Sequence, residues 1–178
     1  MSSGLPPVIG FSAYSGTGKT TLLKKIIALL RGRDIRLAVI KHAHHDFDID
    51  HPGKDSFELR KSGAVQMLIS SSRRKALITE LESGQTEAPL KQLINDLDHT
   101  HIDLILVEGF KREPFPKIEL HRAALNKPYL FKTDTHIIAL ATDHPVELDN
   151  DAQKDLVLLD MNQPESIADF ICERVFPA

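Results

Sequence analysis

This sequence predicts an α/β fold, one domain over residues 1–178 with a mostly parallel central sheet and helices on both faces, on three observations. Near-continuous apolar runs recur at residues 8–11, 35–40, 102–107 and 137–141, as in strands buried on both sides. Segments with apolar residues at three-and-four spacing alternate with them. The first run leads through a glycine-containing loop into such a segment, and the second run follows at once, which makes a βαβ unit with parallel pairing and a right-handed crossover. A chain of 178 residues suits one domain of ordinary size.

The opening element is Val8-Ile9-Gly10-Phe11-Ser12-Ala13-Tyr14-Ser15-Gly16-Thr17-Gly18-Lys19-Thr20-Thr21. Ala13 to Thr20 match the phosphate-binding loop G-x-x-x-x-G-K-[ST], except that Ala13 replaces the first glycine. Gly16 and Gly18 allow the backbone to wrap an anion without a Cβ in the way. Ser15 to Thr21 then offer N–H groups to phosphate oxygens, helped by the positive end of the helix that starts near Lys19. Lys19 is expected to bridge the β- and γ-phosphates, and the Thr20 hydroxyl to ligate Mg²⁺. The plain alternative is a glycine turn before a helix. The apolar lead-in, and Leu22, Leu23, Ile26, Ile27, Leu29 and Leu30 on one helical face, favour the phosphate loop and a P-loop NTPase-like fold.

Gly32 stops this helix, and Ile35 to Ile40 form the second strand. Lys41 to Lys54 then read as a functional loop, rich in His and Asp, at the carboxyl edge where ligands bind in open α/β sheets. Asp55 and Glu58 form a capping box for a short helix ending near Gly63. Val65, Met67 and Ile69, a polar turn at 70–74, and Ala76 to Thr79 read as a hairpin near 65–80 that makes the sheet mixed. Residues 83–87 read as a surface loop, and Leu90, Leu93, Ile94 and Leu97 mark a helix. Ile102 to Val107 is the next buried strand, and residues 111–116 are irregular. Ile118 and Leu120 alternate with Glu119 and His121, as in a half-buried strand, and residues 126–135 read as loop. Ile137 to Ala141 and Leu156 to Leu159 are the last strands. Asn162 and Glu165 form a second capping box, with Pro164 in the first turn of a helix lined by Ile167, Phe170, Ile171 and Val175.

Composition narrows the functional classes. The net charge is −3, so neither nucleic acid nor an anionic membrane is expected as the main partner. No run reaches membrane-spanning length, Met1 to Pro7 carries no apolar signal core, and the single Cys172 reads as a buried structural thiol. A cytoplasmic location is the expectation.

Glu108 follows an apolar strand where phosphate-loop NTPases place a second acidic residue, and it can hold Mg²⁺ directly or through water. Lys41 and His42, at the end of the second strand, are expected to face the phosphates. Asp46 or Asp48 can supply a Mg²⁺ ligand. The whole set His42, His44, His45, Asp46, Asp48, Asp50 and His51 can instead hold a transition metal, or be a solvated loop. Arg73, Arg74 and Lys75 read as a phosphate-clamping lid or a solvated hairpin tip. Asn126-Lys127-Pro128-Tyr129 imitates a guanine-reading N-K-x-D, but Tyr129 cannot accept two base N–H bonds. Asp143, after an apolar strand, is the better candidate for that role.

Three segments go beyond a generic NTPase. They are Ser12 to Leu22, the loop from Ile40-Lys41-His42-Ala43-His44-His45-Asp46-Phe47-Asp48 through Pro52-Gly53-Lys54-Asp55-Ser56, and Asp103-Leu104-Ile105-Leu106-Val107-Glu108-Gly109-Phe110-Lys111. Together they closely resemble the molybdopterin-guanine dinucleotide biosynthesis protein B (MobB) family, over nearly the whole chain. The resemblance implies a homodimeric GTP-binding adaptor with weak GTPase activity, using Mg²⁺ with GTP. It also implies partnership with the guanylyltransferase that attaches GMP to molybdopterin, with molybdopterin itself or target molybdoenzymes as further partners. It maps phosphate binding onto Gly16 to Thr21 and the second acidic motif onto Glu108, so that Lys19 and Glu108 carry what catalysis there is. Weak hydrolysis agrees with the residues, which show no evident arginine finger. GTP is expected to order the 41–54 loop. Two other readings remain open: a metallochaperone GTPase using the His/Asp loop, and a small-molecule kinase using Arg73 and Arg74.

Overall fold

The computed structural model describes residues 4–43, 47–81, 87–146 and 155–177. Its elements are β1 (Val8–Ala13), α1 (Lys19–Arg31), β2 (Leu37–Lys41), α2 (Asp55–Lys61), β3 (Gln66–Ser70), β4 (Lys75–Thr79), α3 (Leu90–Asn95), β5 (Leu104–Glu108), β6 (Lys117–His121), β7 (Ile137–Thr142), β8 (Val157–Asp160) and α4 (Pro164–Val175). The chain divides into two compact units, residues 1–42 with 90–178, and residues 43–89.

The larger unit carries a six-stranded sheet of order β2-β5-β1-β6-β7-β8. Every neighbouring pair is parallel, so the expected α/β class holds. The order reverses at β1: β2 and β5 lie on one side of it and β6 to β8 on the other. Carboxyl ends at such a switch point form the ligand crevice of open α/β sheets.

One sheet face is built by strict alternation. Ile9, Phe11 and Ala13 of β1 and Ile118 and Leu120 of β6 pack with Leu22, Leu23, Ile26 and Leu30 of α1 and Ile167, Ala168 and Ile171 of α4. Burying each large aliphatic side chain there contributes about 1.5–3 kcal/mol. The predicted stop of α1 is present, with the Gly32 N–H donating to the Ala28 carbonyl at 2.9 Å. On the opposite face Ile40, Ile105 and Val107 pack with Leu90 of α3, Phe110 and Phe115, and Ile137 and Leu140 with Phe131 and Leu156.

Three local expectations are corrected. β6 is not half-buried: all five of its residues are buried, Lys117, Glu119 and His121 included. It lies between β1 and β7, and a loop covers its polar side. Lys117 Nζ pairs with Asp134 Oδ2 at 2.9 Å and donates to the Glu113 carbonyl at 2.6 Å. Glu119 accepts from the N–H groups of Leu130 and Phe131, each at 2.8 Å, and His121 Nε2 lies 2.8 Å from the Lys127 carbonyl. The alternation rule fails because a satisfied polar group can be buried.

The hairpin does not make the central sheet mixed. β3 and β4 pair antiparallel, Gln66 opposite Thr79, as a separate two-stranded sheet. Neither capping box forms as expected. Lys54 rather than Asp55 is the N-cap of α2, although Glu58 still reaches back toward the Gly53 N–H at 3.5 Å. Gln163 rather than Asn162 is the N-cap of α4, with Pro164 at its first position as predicted. Proline supplies a preset φ there and removes one of the unpaired N–H groups of the first turn.

In the smaller unit a buried arginine ties loop, helix and hairpin together. Arg60 of α2 donates to both carboxylate oxygens of Asp48, at 2.7 and 2.8 Å, and pairs with Glu80 just after β4. Among the described residues no helix is long and apolar enough to cross a membrane.

Candidate functional site

The carboxyl end of β1 turns through residues 14–18 into α1. Gly16 and Gly18 hold φ of +82° and +89°, the left-handed region that costs other residues about 1–2 kcal/mol. The turn is closed by Thr17, whose N–H and Oγ1 both donate to the Tyr14 carbonyl, at 3.4 and 2.6 Å. Gly18 is the N-cap of α1 and makes no side-chain cap bond. The helix therefore opens with donors no capping side chain satisfies, as at anion-binding helix starts. Ala13, in the place of the usual first glycine, is buried in the core, and the turn forms without that glycine.

Lys19, the first residue of α1, meets Glu108 at the end of β5, Nζ to Oε1 3.2 Å. The pairing brings residues 89 positions apart to one edge. The neighbouring strand adds to it: Lys41 is in register with Glu108. The His42 N–H donates to the Glu108 carbonyl at 2.8 Å, and its ring stacks on Phe110 with centroids 4.8 Å apart. Ser15, Thr20 and Thr21 lie in or directly after the loop, all exposed. Thr20 and Glu108 both present oxygen donors at this edge, the ligand type that suits Mg²⁺.

Asp143 directly follows β7. Its Oδ1 accepts from the Ala123 N–H at 2.9 Å, and its Oδ2 lies 3.3 Å from Arg122 Nη1. The Ala123 amide and the Arg122 charge hold its carboxyl below the usual range. It lines a cleft of about 360 Å³ with Thr142, His144, Pro145, Asp160 and Asn162.

Sequence reasoning missed Arg122. Its Nε donates to the Thr17 carbonyl at 3.2 Å while its Nη1 faces Asp143. A cation thus links the glycine loop to the end of β7. Its position directly after a strand end was the available signal, but its neighbours on the loop and on β7 are distant in sequence.

The remaining candidates belong to other segments of the chain. Asp48, in the smaller unit, is engaged by Arg60, whose hydrogen bonds hold its carboxyl below the usual range. Asp46, His44 and His45 lie outside the described residues. Among the described residues no group of three or more His, Cys, Asp or Glu side chains is arranged to hold a metal ion. Arg73, Arg74 and Lys75 are exposed at the hairpin turn, which is closed by the Ser71 N–H donating to the Arg74 carbonyl at 2.8 Å. Cys172 is a free, half-buried thiol 3.4 Å from Arg33 Nη1.

Comparison with known proteins gives a consistent family. Residues 8–143 match the family model described as molybdopterin guanine dinucleotide synthesis protein B. The chain is 49% identical over 168 residues to the molybdopterin-guanine dinucleotide biosynthesis adapter protein of Escherichia coli K12, covering 94% of this chain and 92% of that protein. It is 44% identical over 165 residues to the protein of the same description from Haemophilus influenzae, covering 93% and 87%. Among solved structures, the Bacillus subtilis MobB crystal structure superposes with a TM-score of 0.71 at 20% identity, over 97% of this chain and 99% of that one. At that identity the likeness concerns the fold.

Proposed function

Because the chain belongs to the molybdopterin guanine dinucleotide synthesis protein B family, we propose that it is a GTP-binding adapter of molybdopterin guanine dinucleotide biosynthesis. The observation that carries the nucleotide part is the Lys19–Glu108 pair, 3.2 Å apart beside a glycine loop with two left-handed glycines. An ammonium and the amides of the glycine loop at a sheet's switch point suit an anion, and the carboxylate beside them suits its accompanying cation.

In this reading the N–H groups of the 15–21 stretch other than that of Thr17, which donates to the Tyr14 carbonyl, hold the β- and γ-phosphates, and Lys19 turns from Glu108 toward them. Thr20 and Glu108 hold Mg²⁺, which supplies charge neutralisation of the phosphates when bound. Arg122 props the loop through the Thr17 carbonyl. The base lies in the cleft beside Asp143, whose ionised carboxylate can accept guanine N–H groups. Lys41 and His42 border the phosphates from β2.

Hydrolysis is weak in this proposal. Fast turnover needs a positioned water and a further cation on the developing charge, and Arg122 is already engaged by Thr17 and Asp143. A protein that holds GTP without rapid turnover acts as an adapter. The guanylyltransferase that attaches GMP is its proposed partner, with the chain working as a homodimer in the cytoplasm. The adapter role is supported by the names of the relatives described above.

The test is titration of the pure protein with GTP, GDP and ATP, with and without Mg²⁺, beside Lys19→Ala. A charge-assisted hydrogen bond is worth about 1.5–3 kcal/mol, so the variant should bind GTP about 10- to 150-fold more weakly. Failure of the unaltered protein to bind GTP would remove the nucleotide reading, and equal affinity of the two proteins would remove Lys19 from it.

A further inference from the structure

The face of the sheet opposite α1 is unusual near β6. The β5–β6 connection, residues 109–116, contains no helix, and residues 122–136 between β6 and β7 contain only the single short turn Ala123–Leu125. Two loops therefore cover this part of the sheet. Between them and β1 lies a hollow of about 470 Å³, lined by Ser12, Lys111, Arg112, Leu130, Asp134 and the stretch 133–136.

Its chemistry is that of an oxyanion site. Ser12 forms the floor. Alternation along β1 sends Phe11 and Ala13 into the core with α1, so Ser12 faces the other side, in register with Glu119 of β6. The Ser12 side chain is 1% exposed, and its Oγ has no hydrogen-bond partner among the described residues. A buried hydroxyl left unmet is unfavourable, and groups of this kind mark places where something else binds. Lys111 and Arg112 contribute two cations from one loop, and Thr133 and Thr135 bring hydroxyl-bearing side chains from the other.

The one carboxylate there is compensated: Asp134 pairs with Lys117 at 2.9 Å and lies 3.4 Å from His136 Nδ1. The buried Glu119 carboxylate also acts on Lys111 from β6; an incoming anion meets Lys111 and Arg112, neither in a close ion pair among the described residues, and an orphan hydroxyl. Burial, and then the charge of Lys19, push the Lys111 ammonium below its usual range, against the opposing pull of Glu119. Lys111 also sits over the Tyr14 ring, 5.4 Å from its centroid, so the hollow borders the glycine loop. Its volume is in the range of small-molecule sites, and Leu130 offers an apolar wall beside the cations.

We propose that this hollow, with Ser12, Lys111 and Arg112 as its principal contacts, binds a phosphomonoester-bearing small molecule distinct from the nucleotide. Ser12 donates to a phosphate oxygen, Arg112 and Lys111 neutralise the dianion, and the organic part lies along Leu130. The proposal stands apart from the nucleotide reading, since none of its three principal contacts belongs to the glycine loop.

The test silences the loop first. In the Lys19→Ala protein, inorganic phosphate and phenyl phosphate are titrated by calorimetry, alone and with Ser12→Ala or Arg112→Ala added. Saturable binding is expected in the Lys19→Ala protein, tighter for phenyl phosphate, and weakened about 10-fold or more by either added substitution. Ser12→Ala without ligand should melt at or above its parent, because it removes an unmet polar group; this separates loss of binding from loss of folding. Absence of saturable binding in the Lys19→Ala protein, or binding indifferent to Ser12→Ala and Arg112→Ala, would overturn the site. Failure of GTP to bind the unaltered protein would remove only the nucleotide reading.

Discussion

Replacing Glu119 with Gln probes the buried polar strand on which the covering loop depends. The Glu119 side chain is 0% exposed, and its two oxygens each accept one backbone N–H at 2.8 Å, from Leu130 and Phe131. Gln has one acceptor oxygen, so its amide nitrogen must face the second N–H, donor against donor. One buried donor left without an acceptor costs about 1–3 kcal/mol. Removing a buried charge returns part of that cost, and a net loss of about 2 kcal/mol is expected. For a chain of this size each kcal/mol moves the melting temperature by about 2–4 °C, so Glu119→Gln should melt about 4–8 °C lower.

The pH dependence gives a second, sharper readout. Burial pushes the Glu119 carboxyl up, against the opposing effect of the two N–H bonds. A folded pKa above the unfolded value means the native state binds the proton more readily. The wild-type protein therefore gains stability from this group as pH falls through its folded pKa toward the unfolded value near ~4.3. Gln cannot titrate, so the gap between the two proteins should widen on acidification. Urea unfolding of both at several pH values measures it. An unchanged midpoint at neutral pH would refute the hydrogen-bond argument, and a gap that narrows with acid would refute the claim that burial dominates.

Three further outcomes follow from other sites. A Cβ at Gly10 would fall into the Phe115 ring and 2.8 Å from Lys117 Cγ, so Gly10→Ala should lower stability by about 1–3 kcal/mol, read as a reduced melting temperature. Asp103, hydrogen-bonded by the Arg36 side chain and N–H, is held at about pH 2. Its contribution should be fully present above the unfolded value near ~3.9 and lost as pH falls through the folded one. Solvent screening limits it to below about 1 kcal/mol, and the urea midpoints of wild type and Asp103→Asn should converge toward pH 2; a gap that persists there would mean the charge is not its origin. Asp143→Ala should flatten any preference for GTP over ATP in competition binding, and an intact preference would move base recognition to another residue.

Much of the fold was readable because it rests on neighbours in the chain. Apolar runs and three-and-four spacing identified β1, α1, β5, β7 and α4 to within a few residues. The capping boxes failed because either of two adjacent polar residues can precede a helix, and the backbone at residues 54 and 163 decided which did. β6 was misjudged for a different reason. Alternation reports the chemistry of a side chain, not what later packs over it, and the acceptors and donors that make Lys117, Glu119 and His121 tolerable inside come from residues 111–134. The hairpin was recognised, but pairing of its strands with each other alone is a matter of sheet register that no local pattern encodes.

By itself the sequence determined the glycine loop, its lysine and threonine, the strand that ends at Glu108, and the family. These are local arrangements, set by φ preferences, a glycine's missing Cβ and the period of apolar residues. Only the tertiary structure decided that Lys19 meets Glu108, that Arg122 spans the loop and Asp143, and that the Ser12 hydroxyl has no partner among the described residues in the hollow it shares with Lys111 and Arg112. Those relations join residues up to about a hundred positions apart, and they exist only once parallel strands have paired in one register around β1.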